Sequence, residues 1–173
     1  MPMPELTPIL HEDFVAAVKL LAAQIADSGW TPDFLIGIGR GGLTPAVFLS
    51  HAAGLQMLSV DYSSPVPDFS GEPLVKLAAR TRAGEKLLFV DDINDTGGTI
   101  NRLIAELGAA GATRENVRFA TLMDNCRSAA RVDYAARIID RAVVKDWFVF
   151  PWEAVAPTAT VLEDAAAVPE RTA

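Results

Sequence analysis

The sequence predicts an α/β fold built on a doubly wound parallel sheet, and three observations carry that prediction. Short apolar, strand-like runs alternate several times with longer stretches of helical periodicity. Two glycine-bearing turns fall at the carboxyl ends of such runs, where open α/β sheets bind their ligands. Neither an internal repeat nor a domain linker interrupts the 173 residues, a length that suits one domain.

Each element follows from its residues. Between His11 and Ser28 the apolar Phe14, Val15, Val18, Leu21, Ala22 and Ile25 return at helical spacing, and Gly29 ends the helix. "DFLIGIG" is a short buried strand, and "GGLTPAVFLSHAAG" a helix with Pro45 in its first turn, where a missing N–H costs little. "LQMLSVDY" is a second strand. The stretch from Ser63 to Pro73, "SSPVPDFSGEP", gathers Pro and Gly among polar residues and is long enough to act as a lid. "PLVKLAAR" reads as a strand at the sheet edge, "EKLLFVDD" as a buried strand and "GGTINRLIAELGAAG" as a helix. Two more strands follow in "NVRFATLMD" and "YAARIID", and "DWFVFPWE" is too aromatic and too close to Pro151 for a helix. From Ala156 the chain loses periodicity, so residues 1–155 are read as the domain and 156–173 as a peripheral tail.

Composition narrows the function. Half of the residues are hydrophobic and 21% are charged, which is the make-up of a soluble globular chain. A formal net charge of -7 argues against nucleic acid as the main partner, because phosphate-backbone binding needs clustered Lys and Arg. A small-molecule partner is expected instead. The lone Cys126 forms no internal disulfide, the N-terminus has no signal-peptide pattern, and no apolar run reaches membrane-spanning length, so a cytoplasmic location is expected. His11 and His51 lack companions at metal spacing and read as surface or capping residues. Cys126 lacks a partner base and reads as a small packing residue at a strand end.

The two turns admit several readings. "GIGRGG" satisfies the dinucleotide-binding fingerprint through Gly37, Gly39 and Gly42, with Asp61 at a later strand end. Against it, Arg40 stands inside the turn, no substrate domain follows, and the second turn is left unexplained. That second turn, "LLFVDDINDTGGT", sets Asp91, Asp92 and Asp95 beside Thr96, Gly97, Gly98 and Thr99. A calcium loop starting at Asp92 fails, because Leu103 stands where a bidentate Glu is needed. A P-loop fails because neither turn continues into Gly-Lys-Ser or Gly-Lys-Thr. Simple helix capping does not require three acids, two threonines and two glycines together.

"LLFVDDINDTGGT" resembles the phosphoribosyl pyrophosphate (PRPP) motif of the type I phosphoribosyltransferases. "IGIGRGGLTP" resembles the pyrophosphate loop of that family, and "DWFVFPWE" resembles the base-binding hood of its xanthine-guanine group. The similarity covers roughly Phe34 to Glu153 and implies a doubly wound core with a small hood from C-terminal segments.

The chemistry of the residues agrees. In "DTGGT", Gly97 and Gly98 let backbone N–H groups turn inward at a helix start while the Thr96 and Thr99 hydroxyls add donors, which suits a phosphomonoester. Asp91 and Asp92 would repel that phosphate, so they are expected to accept hydrogen bonds from the ribose hydroxyls. Arg40, with the N–H groups of Gly41 and Gly42, supplies cation and donors for the departing pyrophosphate. A carboxylate nearby also favours the oxocarbenium-like C1 of the transition state.

The resemblance adds the rest. It implies Mg2+ bridging ribose hydroxyls and pyrophosphate, with Asp91 and Asp92 acting directly or through water, and Glu153 where the xanthine-guanine group carries an acid near base and metal. It makes Asp95 the general acid/base for the purine proton, and places a non-proline cis peptide at Gly39-Arg40. Trp147 is expected to stack the base and the backbone beside Phe148 to read its exocyclic groups, while Phe150 and Trp152 read as core. Where the xanthine-guanine group carries a lysine that donates to the 6-oxo oxygen, this chain has Asn125, or less directly Asp124, with Lys145 as a nearby substitute. An Asn amide presents either oxygen or NH2, so weaker discrimination against adenine is expected.

These features together predict a Mg2+-dependent purine phosphoribosyltransferase, with PRPP and a purine, 6-oxopurine favoured, as small-molecule partners. The alternative is a non-catalytic PRPP- or nucleotide-sensing module of the same fold. The family's habit implies a homo-oligomer.

Overall fold

Leu87, Leu88, Phe89 and Val90 are apolar on both sides of the backbone, which only a strand covered on both faces can satisfy. In the computed structural model, which describes residues 5–62 and 71–167, they open the central strand β4 (Leu87–Asn94). Around it an all-parallel sheet runs β3-β2-β4-β5-β6, with β2 at Phe34–Ile38, β3 at Gln56–Val60, β5 at Val117–Asn125 and β6 at Tyr134–Ile139.

The pleat divides the core. Leu88 and Val90 join Leu35, Ala120 and Leu122 under helices α1 (His11–Asp27) and α2 (Gly39–Ala53). Leu87 and Phe89 join Ile36, Ile38, Val117 and Phe119 under α3 (Gly71–Arg82) and α4 (Gly98–Ala109). From β2 the chain moves outward to β3, then crosses back past β2 to β4. The helices that leave β2 and β4 therefore lie on opposite faces, and a crevice opens between the two strand ends. That topology alone puts both glycine turns at one site.

Four expectations need correction. "PLVKLAAR" lies in helix α3: Leu74, Leu77, Ala78 and Thr81 are buried at spacings of three, four and seven, a helical stripe that covers the second face of the sheet. Helix α2 begins at Gly39, so Pro45 falls in its second turn and Arg40 is already helical. The chain bends there because Gly39 takes a left-handed φ of 53°, and among the described residues no peptide bond is cis, that at Gly39-Arg40 included. The tail has periodicity after all: α5 (Thr158–Ala166) buries Val161 and Ala165. Of the stretch read as a lid, residues 63–70 lie outside the described residues, and Gly71 to Pro73 open α3.

"DWFVFPWE" is extended as expected, through a pairing that the sequence did not announce. Strand β7 (Trp147–Val149) lies parallel to β1 (Leu6–Pro8) in a separate two-stranded sheet. Trp147 N–H donates to Glu5 C=O (2.7 Å) and Ile9 N–H to Val149 C=O (2.8 Å), while the Thr7 hydroxyl donates to Asp146 (2.7 Å). No helix among the described residues is long and apolar enough to cross a membrane.

Candidate active site

The α4 turn is shaped by its glycine. Gly97, the N-cap of α4, has φ 88°, and a Cβ there would lie 2.5 Å from the Ala130 nitrogen and 2.8 Å from Ser128 Oγ. Only glycine combines that φ with that approach. Buried Asn94, which the sequence reading passed over, braces the loop opposite. Its Nδ2 donates to Asp124 Oδ1 (2.7 Å) and Ala130 C=O (2.9 Å), and its Oδ1 accepts from Ser128 Oγ (3.0 Å). Thr96, Gly98 and Thr99 remain exposed at the mouth, Gly97 brings no capping side chain, and Thr96 Oγ1 accepts from Gly98 N–H (3.3 Å). A helix start so built suits an anion.

Asp91 and Asp92 stand on adjacent strand positions, so the pleat sends them to opposite faces of β4. Asp91 accepts from the Asp92 N–H (3.0 Å) and Asp92 from the Ile93 N–H (2.7 Å). On the α2 side, the Asp92 carboxylate lies so close to Gly41 that a Cβ there would meet Oδ2 at 2.5 Å. Gly42 is still more confined, its Cβ position falling 2.1 Å from the Val90 oxygen. These two glycines let α2 ride directly on β4, a packing role beyond the exposure of N–H groups expected of them. Arg40 is exposed at the start of α2.

A pocket beside this crevice is lined by Asp92, Ile93 and Asp95 from the β4 end, Arg141, and Trp147, Phe148, Phe150 and Glu153 from the aromatic segment. Trp147, expected to stack the base, is half-buried and lines this pocket. Because β1 uses the peptide groups of Trp147 and Val149, strand alternation turns those of Phe148 to the other edge. Phe150 and Trp152 stack at 4.9 Å and pack into the core, as read, although Phe150 also reaches the pocket.

Glu153 accepts from the Phe150 N–H (2.9 Å), and its carboxyl is pushed above the usual range, chiefly by burial, with that hydrogen bond opposing. The nearby Arg40 charge also opposes the shift. A raised folded value means that its contribution to stability is present below about pH 4.3, the ordinary glutamate value, and is lost as pH climbs through the folded one. E153Q is therefore expected to gain on the wild type as pH rises, which thermal melts from pH 4 to 7 will read as a widening Tm difference. A constant difference would contradict it.

Asn125, expected beside the base, is buried. Its Nδ2 donates to the Asp95 carbonyl (2.9 Å) and its Oδ1 accepts from the Arg127 and Arg141 N–H groups (both 3.2 Å), so the amide is engaged within the protein, and it is not among the described residues that line the pocket. Lys145 does not line the pocket either. Cys126 is exposed just past β5 and packs nothing in. The residue that the sequence reading missed is Arg141, which holds the Asp95 carboxylate at 2.9 Å in a pair buried from solvent. Its only local signal is a charge directly after the run "RIID".

Comparisons with known proteins converge. Residues 8–156 match the family described as the phosphoribosyl transferase domain. A purine phosphoribosyltransferase from Pyrococcus horikoshii superposes with a TM-score of 0.62 at 25% identity, covering 88% of this chain and 97% of that one. An adenine phosphoribosyltransferase from Synechococcus sp. is 30% identical over 120 residues, 61% of this chain and 68% of the relative. An orotate phosphoribosyltransferase from Deinococcus radiodurans is 29% identical over 92 residues, 53% of this chain and 47% of the relative, so the match spans under half the length of that protein. A match that runs through both glycine turns, the acidic strand end and the aromatic wall has one meaning: the chain belongs to the phosphoribosyl transferase domain family.

Proposed function

We propose that the chain is a purine phosphoribosyltransferase, which makes a nucleoside 5'-monophosphate and pyrophosphate from PRPP and a free purine, a 6-oxopurine in preference. One observation carries the reading: Asp95 and Trp147 line the same pocket, next to a helix start suited to phosphate. A flat base against Trp147 comes within reach of an acceptor for its ring N–H. In this reading a ring nitrogen attacks C1 of PRPP, the C1–O bond to pyrophosphate breaks, and the proton of the other imidazole nitrogen goes to Asp95. Arg40 and the first turn of α2 receive the pyrophosphate.

Mg2+ belongs to this proposal as a counter-charge for the pyrophosphate. Among the described residues no three His, Cys, Asp or Glu side chains converge as a metal site. The donor set still fits, since Mg2+ is commonly held by one or two carboxylates plus substrate oxygens and water, which here means Asp91 or Asp92.

Base-dependent release of pyrophosphate from PRPP, followed over a panel of purines, tests the activity. Nucleotide or PRPP binding with no release for any base would favour the sensing module. Alanine at Asp91 or Asp92 is expected to weaken PRPP binding by about 10- to 100-fold, the worth of a hydrogen bond to a charged group. Calorimetry with Mg2+ present reads it, and unchanged affinity would remove the ribose role.

A further inference from the structure

The guanidinium of Arg141 is anchored on two sides. Its side chain is 8% exposed and that of Asp95 3%. Nε donates to both Asp95 oxygens (3.1 Å each) and Nη2 to Oδ2 (2.9 Å). Nη1 donates to the carbonyls of Asp146 (2.7 Å) and Val144 (3.3 Å), in the segment that leads to Trp147. The Phe148 ring centroid lies 5.2 Å from its central carbon. An arginine carries five N–H donors and no acceptor. These bonds use four, and one N–H of Nη2 has no protein partner among the described residues.

Arg141 is also the one cation among the described residues lining the pocket. Asp92, Asp95 and Glu153, when ionised, only accept hydrogen bonds, and Asn125, buried with its amide oxygen and one N–H bonded within the protein, is not among the described residues that line the pocket. We propose that Arg141 is the specificity-determining residue of the pocket, donating its remaining N–H to an oxo oxygen of the bound base and so rejecting an amino group at that place. The proposal rests on the purine phosphoribosyltransferase reading. Its physical basis is the sign of the contact: an oxo oxygen completes the donor set of a buried cation, whereas an exocyclic NH2 sets N–H against N–H and leaves both unpaired. Because the guanidinium is already fixed by Asp95 and two carbonyls, little of its freedom is lost when the base arrives.

Calorimetric binding of inosine and adenosine 5'-monophosphates, which differ in the oxo or amino group at position 6 and in the ring N–H at position 1 that goes with the oxo form, tests it with Arg141→Met and Arg141→Gln. The wild type is expected to bind the inosine nucleotide about 10- to 100-fold more tightly, the value of a hydrogen bond from a charged donor. In Arg141→Met the ratio should fall toward one, with the adenosine nucleotide bound within a few-fold of wild type, which also shows that the variant is folded. Arg141→Gln, whose amide can donate or accept, should flatten the ratio in the same way and decides the matter alone if the Met variant does not fold. A ratio that survives either substitution, or an equal loss for both nucleotides, would overturn the proposal and leave Arg141 as a clamp only. Failure of the wild type to bind either nucleotide would instead bring down the functional reading, and this inference with it.

Discussion

Asp95→Asn is expected to lower kcat by about 10²- to 10⁴-fold while PRPP affinity changes little. In the proposed reaction an amide in place of the carboxylate cannot take the purine proton, yet the helix start and the acidic strand end proposed to bind PRPP stay intact. The buried pair adds a second consequence. Removing the charge of Asp95 leaves the Arg141 guanidinium uncompensated in a site where both side chains are nearly inaccessible, a loss on the order of 3 to 5 kcal/mol when one partner of such a pair is deleted. The surviving amide oxygen can still accept one N–H, so the loss should fall at the lower end. The double variant Asp95→Asn, Arg141→Met separates the two effects: it should recover most of the stability and none of the turnover. Single-turnover kinetics and denaturant titration read them independently. Near-wild-type turnover in Asp95→Asn would remove this residue from the mechanism.

Gly42→Ala is expected to destabilise the protein by about 2 to 3 kcal/mol, because the added carbon falls 2.1 Å from the Val90 oxygen and neither backbone can yield without lifting α2 from β4. For a chain of this size that is a drop in Tm of roughly 4 to 12 °C. The same movement shifts Arg40 and Gly41 away from Asp92, so PRPP binding should weaken as well. Gly108→Ala is the control. It lies within α4 with nothing near its Cβ position, and replacing a helical glycine there should be neutral or stabilising by up to about 1 kcal/mol. Equal Tm values for the two variants would show that the approach of α2 to β4 is not the constraint it looks to be.

Local order was written plainly in the chain. The run Leu87 to Val90 demanded a strand with two covered faces, the stripe from Phe14 to Ile25 a helix, and the acids and glycines of "DDINDTGGT" a ligand turn at a strand end. Each of these rests on residues within one turn or one strand of each other, where the periods of 3.6 and 2 are directly visible. "PLVKLAAR" shows the limit of such a window. Its apolar residues fit either period until Thr81 is included and the bare face of the sheet is known, and then only the helix buries them.

The pieces that line the pocket beside the crevice lay beyond any window. Arg141 and Asp95 are 46 positions apart, and they meet because β5 and β6 bring the loop after β6 back beside the end of β4. Asn125 carries a side chain suited to reading a base, yet its neighbours draw both ends of the amide inward. Trp147 is held in place by β1, from the opposite end of the chain. The sequence by itself therefore determined the alternation of strands and helices, the two glycine turns and the family, since those follow from local periodicity and the chemistry of adjacent groups. Which side chains line the pocket was decided only by the tertiary structure, because a buried polar group takes whichever partner the sheet order brings within 3 Å, and that order is not visible from any one segment.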